Sequence, residues 1–85
     1  MEKKYWEVSD LLEIGNILYD DKNPVQSMEY LNRSLDLATE LGCKNCKLSC
    51  LYNIGFVHRT LGNPNSASEC FFEGVLLSID TNQLD

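Results

Sequence analysis

A chain of 85 residues supplies one small domain, and at this size folding buries only about 60–65% of the surface that the unfolded form exposes. Hydrophobic residues make up 44%, too many for a disordered segment, while 13 acidic against 7 basic side chains give a formal charge of −6. That acidity disfavours phosphate-rich partners, so nucleic acid and anionic membrane surfaces are not expected; neither a membrane-length apolar run nor a secretory leader is visible, and a cytoplasmic location is the expectation.

The pattern predicts four helices, near 5–20, 24–41, 45–61 and 64–80, and no strand, because alternation with β-branched residues never persists. Asn23-Pro24 and Asn63-Pro64 open the second and fourth helices: Asn can cap the first N–H groups, and Pro at the first helical position has no N–H to leave unpaired. Gln26 stands where it could close a capping box with Asn23. Gly42 and Gly62 each follow a Leu and fit helix ends that need a left-handed backbone.

The chain is also a duplication. Shifted by 40 residues, Leu11, Ile14, Gly15, Asn23, Pro24, Glu29 and Leu37 fall on Leu51, Ile54, Gly55, Asn63, Pro64, Glu69 and Leu77. Ile17 with Val57, Ser27 with Ala67, Leu31 with Phe71 and Leu35 with Val75 are conservative matches. One domain over 1–85 therefore divides into a first unit over about 5–42, a second over about 45–80 and a short polar tail over 81–85. Gly15 and Gly55 sit mid-helix, where Gly costs about 1 kcal/mol relative to Ala. Close backbone approach between helices is the expected reason, with Ser27, Ser34, Ala67 and Gly74 as the small facing residues.

This pattern resembles the tetratricopeptide repeat family, whose first helix carries a large apolar residue, then Leu-Gly, then an aromatic, and whose second helix carries small, aromatic and small positions. Leu11, Ile14-Gly15, Leu18, Ser27, Leu31 and Ser34 fill these places in the first unit; Leu51, Ile54-Gly55, His58, Ala67, Phe71 and Gly74 fill them in the second. The period of 40 exceeds the family's usual length, Leu11 and Leu51 replace its Trp, and the terminal Pro is missing. The resemblance implies an all-α, right-handed stack of two antiparallel helical hairpins. It also implies a non-enzymatic scaffold, without cofactor, that binds proteins or peptides in a concave groove. In that register Ser9, Leu12, Asn16, Tyr19 and Asp20 with Ser49, Tyr52, Phe56, Arg59 and Thr60 line the groove. Tyr52, Phe56 and Arg59 share one helical stripe suited to peptide recognition, unless neighbouring helices cover the aromatics. The family's clamp for chaperone carboxylate tails is not expected: Asn16 and Asn53 occupy clamp positions, but Leu12 stands at the key Lys position.

The fourth helix departs from the second. Asn32, Asp36 and Thr39 become Phe72, Leu76 and Ile79, which turns a polar stripe apolar. Two repeats without a polar closing helix should associate with themselves or a partner, so a homodimer through Phe72, Leu76 and Ile79 is expected, by two-fold packing of this helix on its copy, with docking to a larger assembly, or a further repeat of a longer array covering the helix, as the alternatives. Tyr5-Trp6 or residues 80–85 folding over the stripe is the competing expectation. Cys43, Cys46, Cys50 and Cys70 read as reduced thiols, the first two in the loop and the last two as core fillers. The alternative is a small metal-binding or redox-responsive protein using Cys43, Cys46 and Cys50, although one Cys-x-x-Cys knuckle is half of a strong zinc signature. His58 takes an aromatic consensus position, and packing accounts for it.

Overall fold

The structure, a computed structural model, describes the backbone of residues 3–83 and the side chains of 5–79. Four helices follow one another: α1 (Lys3–Asp20), α2 (Pro24–Leu41), α3 (Lys44–Thr60) and α4 (Pro64–Gln83). No strand occurs among the described residues. Helix α4 runs past the expected end at 80, so the tail expected from 81 is helical through 83; residues 84 and 85 lie outside the described residues.

The three turns share one construction. The N–H of Asn23, Cys43 and Asn63 reaches back five residues to the carbonyl of Leu18, Ala38 and His58, at 2.8, 3.0 and 2.8 Å. The residue before each takes a left-handed backbone: Lys22 at φ 65°, Gly42 at 70° and Gly62 at 84°. Such 6→1 closure satisfies carbonyls that the helix end would otherwise leave open. Gly42 and Gly62 do what the sequence suggested, whereas Lys22 adopts the same conformation with a side chain attached. Asn23 departs from expectation. Its side chain makes no capping hydrogen bond, its ψ of 65° lies outside the extended region typical of a cap, and only its carbonyl accepts, from Ser27 N–H at 2.9 Å.

Helix α1 packs on α2, α3 on α4, and α2 on α3, with a lighter contact between α1 and α3. The Cα atoms span 38 × 30 × 16 Å, so the slab is two helices thick and every helix keeps a face towards solvent. Leu31, Ile54 and Val57 form the hub where the hairpins meet, and Leu12, Tyr19, Met28, Leu35 and Cys70 pack against it. Each fully buried side chain of this size contributes about 1.5–3 kcal/mol.

The mid-helix glycines make room for side chains more than for backbones. A Cβ on Gly15 would lie 2.8 Å from Leu31 Cδ2 and 3.4 Å from the Ser27 carbonyl; on Gly55 it would lie 2.6 Å from the Phe71 ring. Gly74 in turn makes room for the Tyr52 ring, at 2.7 Å from such a Cβ. Ser27 completes the first contact by donating from Oγ to the Gly15 carbonyl at 2.6 Å, and Ser34 Oγ donates to the Val8 carbonyl at 3.0 Å. Both hydroxyls are fully buried, and these bonds meet the need for a partner that burial imposes.

Candidate functional site

The side formed by α1 and α3 carries the residues that the repeat register assigned to a groove, and the structure divides them. Leu12 and Tyr19 pack against the hub. The Tyr19 hydroxyl also lies 2.7 Å from Thr60 Oγ1, which ties the first helices of the two units together. Asn16, Ser9, Asp20 and Ser49 are exposed. Tyr52 is half-buried against Phe71, with ring centroids 6.3 Å apart. Phe56 keeps 45% of its surface and meets Phe71 edge-on at 5.4 Å, and the Arg59 guanidinium lies 5.6 Å from the Phe56 ring centre. Phe71 was not among the groove residues. It joins the cluster because Gly55, having no Cβ, lets its ring lie against α3 within contact distance of both Tyr52 and Phe56. A lone open aromatic braced by a second ring and a guanidinium is a contact surface that needs little side-chain ordering on binding.

On the outer side of α4, Phe72 (64% exposed), Leu76 and Ile79 are all open, and Val75 joins them. Tyr5 and Trp6, the described part of the segment that could have folded over them, are themselves exposed; the side chains of 80–85 lie outside the described residues. A cleft of about 670 Å³ between α1 and α2 has Leu11 and Leu37 in its lining and four carboxylates, Glu7, Asp10, Asp36 and Glu40, beside a single Arg33. Its counterpart in the second unit, about 250 Å³, is lined by Lys47, Leu51, Glu73, Leu76 and Leu77, the residues 40 positions on. Neither cleft was anticipated, although the duplication register that aligns Leu11 with Leu51 was the signal for both.

The cysteines require a correction. Cys43 and Cys46 are joined in a disulfide, with Cα atoms 5.3 Å apart, rather than standing as loop thiols. Cys43 caps α3: its Sγ accepts from the Cys46 N–H at 3.3 Å, and the helical turn that makes this possible brings the second sulfur within bonding range. Cys50 turns into the core beside Ser34 Oγ at 3.3 Å, so the three sulfurs do not converge into a ligand set. No group of three or more His, Cys, Asp or Glu suited to a metal occurs among the described residues. Burial pushes the Cys50 thiol up, with the Ser34 hydrogen bond opposing; burial and then Glu73 and Glu69 push Cys70 up. The His58 ring, half-buried at the aromatic position, has Nδ1 buried without a hydrogen-bond partner.

Two stacked helical hairpins, related by a 40-residue register and packed second helix to first, define an α-solenoid repeat. The Tetratricopeptide repeat family model matches residues 7–73, most of both hairpins, and the chain belongs to that family. No curated protein and no solved structure matches it. Repeats of this family are typically non-catalytic scaffolds for protein–protein interaction. No described helix is long and apolar enough to cross a membrane.

Proposed function

We propose that the chain is an interaction scaffold that associates with itself through the outer face of α4 and takes a peptide along α1 and α3. One observation carries the first half. Phe72, Val75, Leu76 and Ile79 are open on one stripe, while the positions 40 residues earlier hold Asn32, Leu35, Asp36 and Thr39, of which only Leu35 is apolar. Burying each such side chain contributes about 1.5–3 kcal/mol, which favours an assembly that covers them. Phe56, held between Phe71 and Arg59, supports the second half, and the acidic surface selects against acidic partners.

Light scattering of wild type beside Phe72→Glu at about 50 µM, where an interface of micromolar Kd is mostly occupied, tests the self-association. Wild type should scatter as more than a monomer, and the variant should not. A monomeric wild type refutes it. The disulfide favours a second reading, in which Cys43 and Cys46 respond to redox conditions. A disulfide oxidant such as oxidised glutathione would take two electrons and two protons from the thiols and leave as two glutathione molecules. Mass spectrometry after alkylation decides this reading: glutathione buffers should move Cys43 and Cys46 together between free and bonded forms, and a pair fixed in either form across such buffers rules the response out.

A further inference from the structure

We infer that copies of this chain stack head to tail, α4 of one copy packing on α1 of the next as α2 packs on α3 inside the molecule; this geometry rests on the self-association proposed above. At the internal junction Leu31 on α2 meets Ile54 and Val57 on α3, Met28 and Leu35 pack against them, and Ser34 lies beside Cys50. A shift of 40 residues repeats the register of both sides of that junction on α4 and on α1, with Ser68 in place of Met28 and Asp10 in place of Cys50. Ile14 and Ile17 on α1 occupy the register of Ile54 and Val57, and Phe71, Gly74 and Val75 on α4 occupy that of Leu31, Ser34 and Leu35.

Exposure differs between copies of the same position. Val57 is 1% exposed and Ile17 54%; Ile54 is 3% exposed and Ile14 40%. Leu35 is half-buried, and Val75 is 46% exposed. Phe71 and Gly74 are covered within their own hairpin by Gly55 and Tyr52, so Val75 is the open residue of the donor register on α4, while Ile14 and Ile17 stay open on the acceptor face of α1; these positions match the internal junction in register, though not in every residue. Phe72 and Ile79, in the register of Asn32 and Thr39, flank the contact and extend its apolar edge. A two-fold packing of α4 on its own copy covers the donor face alone and leaves Ile14 and Ile17 in water. Head-to-tail stacking covers both, and because donor and acceptor are different surfaces it does not close at two copies.

Sedimentation velocity over a range of concentrations, with Val75→Glu and Ile17→Lys as single variants, tests the geometry; both sites are exposed, and helical content by circular dichroism checks the fold of each. The average mass of wild type should climb past twice the monomer as concentration rises. Each variant alone should be at least about tenfold weaker in association, as loss of one buried apolar contact implies. Mixed in equal amounts, the two variants should form one capped heterodimer, since each retains the face the other lacks. Association of Ile17→Lys like wild type, a wild-type plateau at the dimer, or a mixture that stays monomeric overturns head-to-tail stacking and leaves association through α4 standing. A wild type that is monomeric throughout overturns both.

Discussion

Lys22 and Gly62 occupy the same place in the two units and solve one problem with different chemistry. Both close a helix with a left-handed backbone, at φ 65° and 84°. A side chain there crowds the following carbonyl and costs roughly 1–2 kcal/mol, which Gly avoids while losing more freedom on folding. Lys22→Gly should therefore raise stability by about 0.5–1 kcal/mol, and Gly62→Lys should lower it by a similar amount. Thermal melts read this directly, since 1 kcal/mol moves the Tm of a domain this size by about 4–8 °C. A fall in Tm for Lys22→Gly would mean that the Lys22 side chain contributes contacts that outweigh its backbone strain. The disulfide belongs to this scale as well. A four-residue ring closes so little chain that its entropic contribution is small, about 2 kcal/mol at most, and reduction should leave the fold intact.

Between helices, the glycines rank by what stands opposite them. Leu31, opposite Gly15, is fully buried at the hub and has nowhere to retreat, while Phe71, opposite Gly55, is half-buried and opens towards the exposed Phe56. An added methyl gains about 1 kcal/mol of helix propensity in both cases, against overpacking of about 1–3 kcal/mol. Gly15→Ala should be clearly destabilising in urea unfolding, and Gly55→Ala milder but with the Phe56–Phe71 contact disturbed. Equal losses would show that the hub yields as easily as the groove. Much of this was legible in the chain itself: matched Gly15 and Gly55, the Asn-Pro starts and the Leu-Gly ends located four helices and their pairing, because backbone geometry constrains those residues locally. The partners of the glycines were not legible, since a slot for a ring and a slot for a backbone both ask for Gly. The Cys43–Cys46 bond was hidden for a similar reason, as loop thiols and a capping disulfide share one spacing. Phe71 escaped the groove because the family register places it inside a hairpin, and only the missing Cβ of Gly55 lets it reach Phe56.

At the scale of the molecule, charge opposes the contacts that apolar surface favours. Glu7, Asp10 and Glu13 lie along α1, Glu69 and Glu73 along α4, and the chain as a whole carries −6. In a head-to-tail stack Asp10, which occupies the register of Cys50, comes opposite Gly74, the register of Ser34, with Glu73 next to it. The internal junction pairs a thiol with a hydroxyl at this point; the external one sets a carboxylate against Gly74 with Glu73 beside it, and Lys47 shares with Glu73 only the cleft of the second unit. Two consequences separate this picture from association by attraction of opposite charges. Salt should strengthen assembly, because raising ionic strength from about 0.01 M to 1 M shortens the screening length from about 30 Å to 3 Å and weakens like-charge repulsion, while apolar burial persists. Asp10→Ser should strengthen it further at low salt and lose that advantage at high salt, since the variant has already removed the repulsion that salt would screen. Sedimentation at the two ionic strengths measures both effects, and weaker association in salt would show that charge attraction, rather than the apolar faces of α1 and α4, holds the copies together.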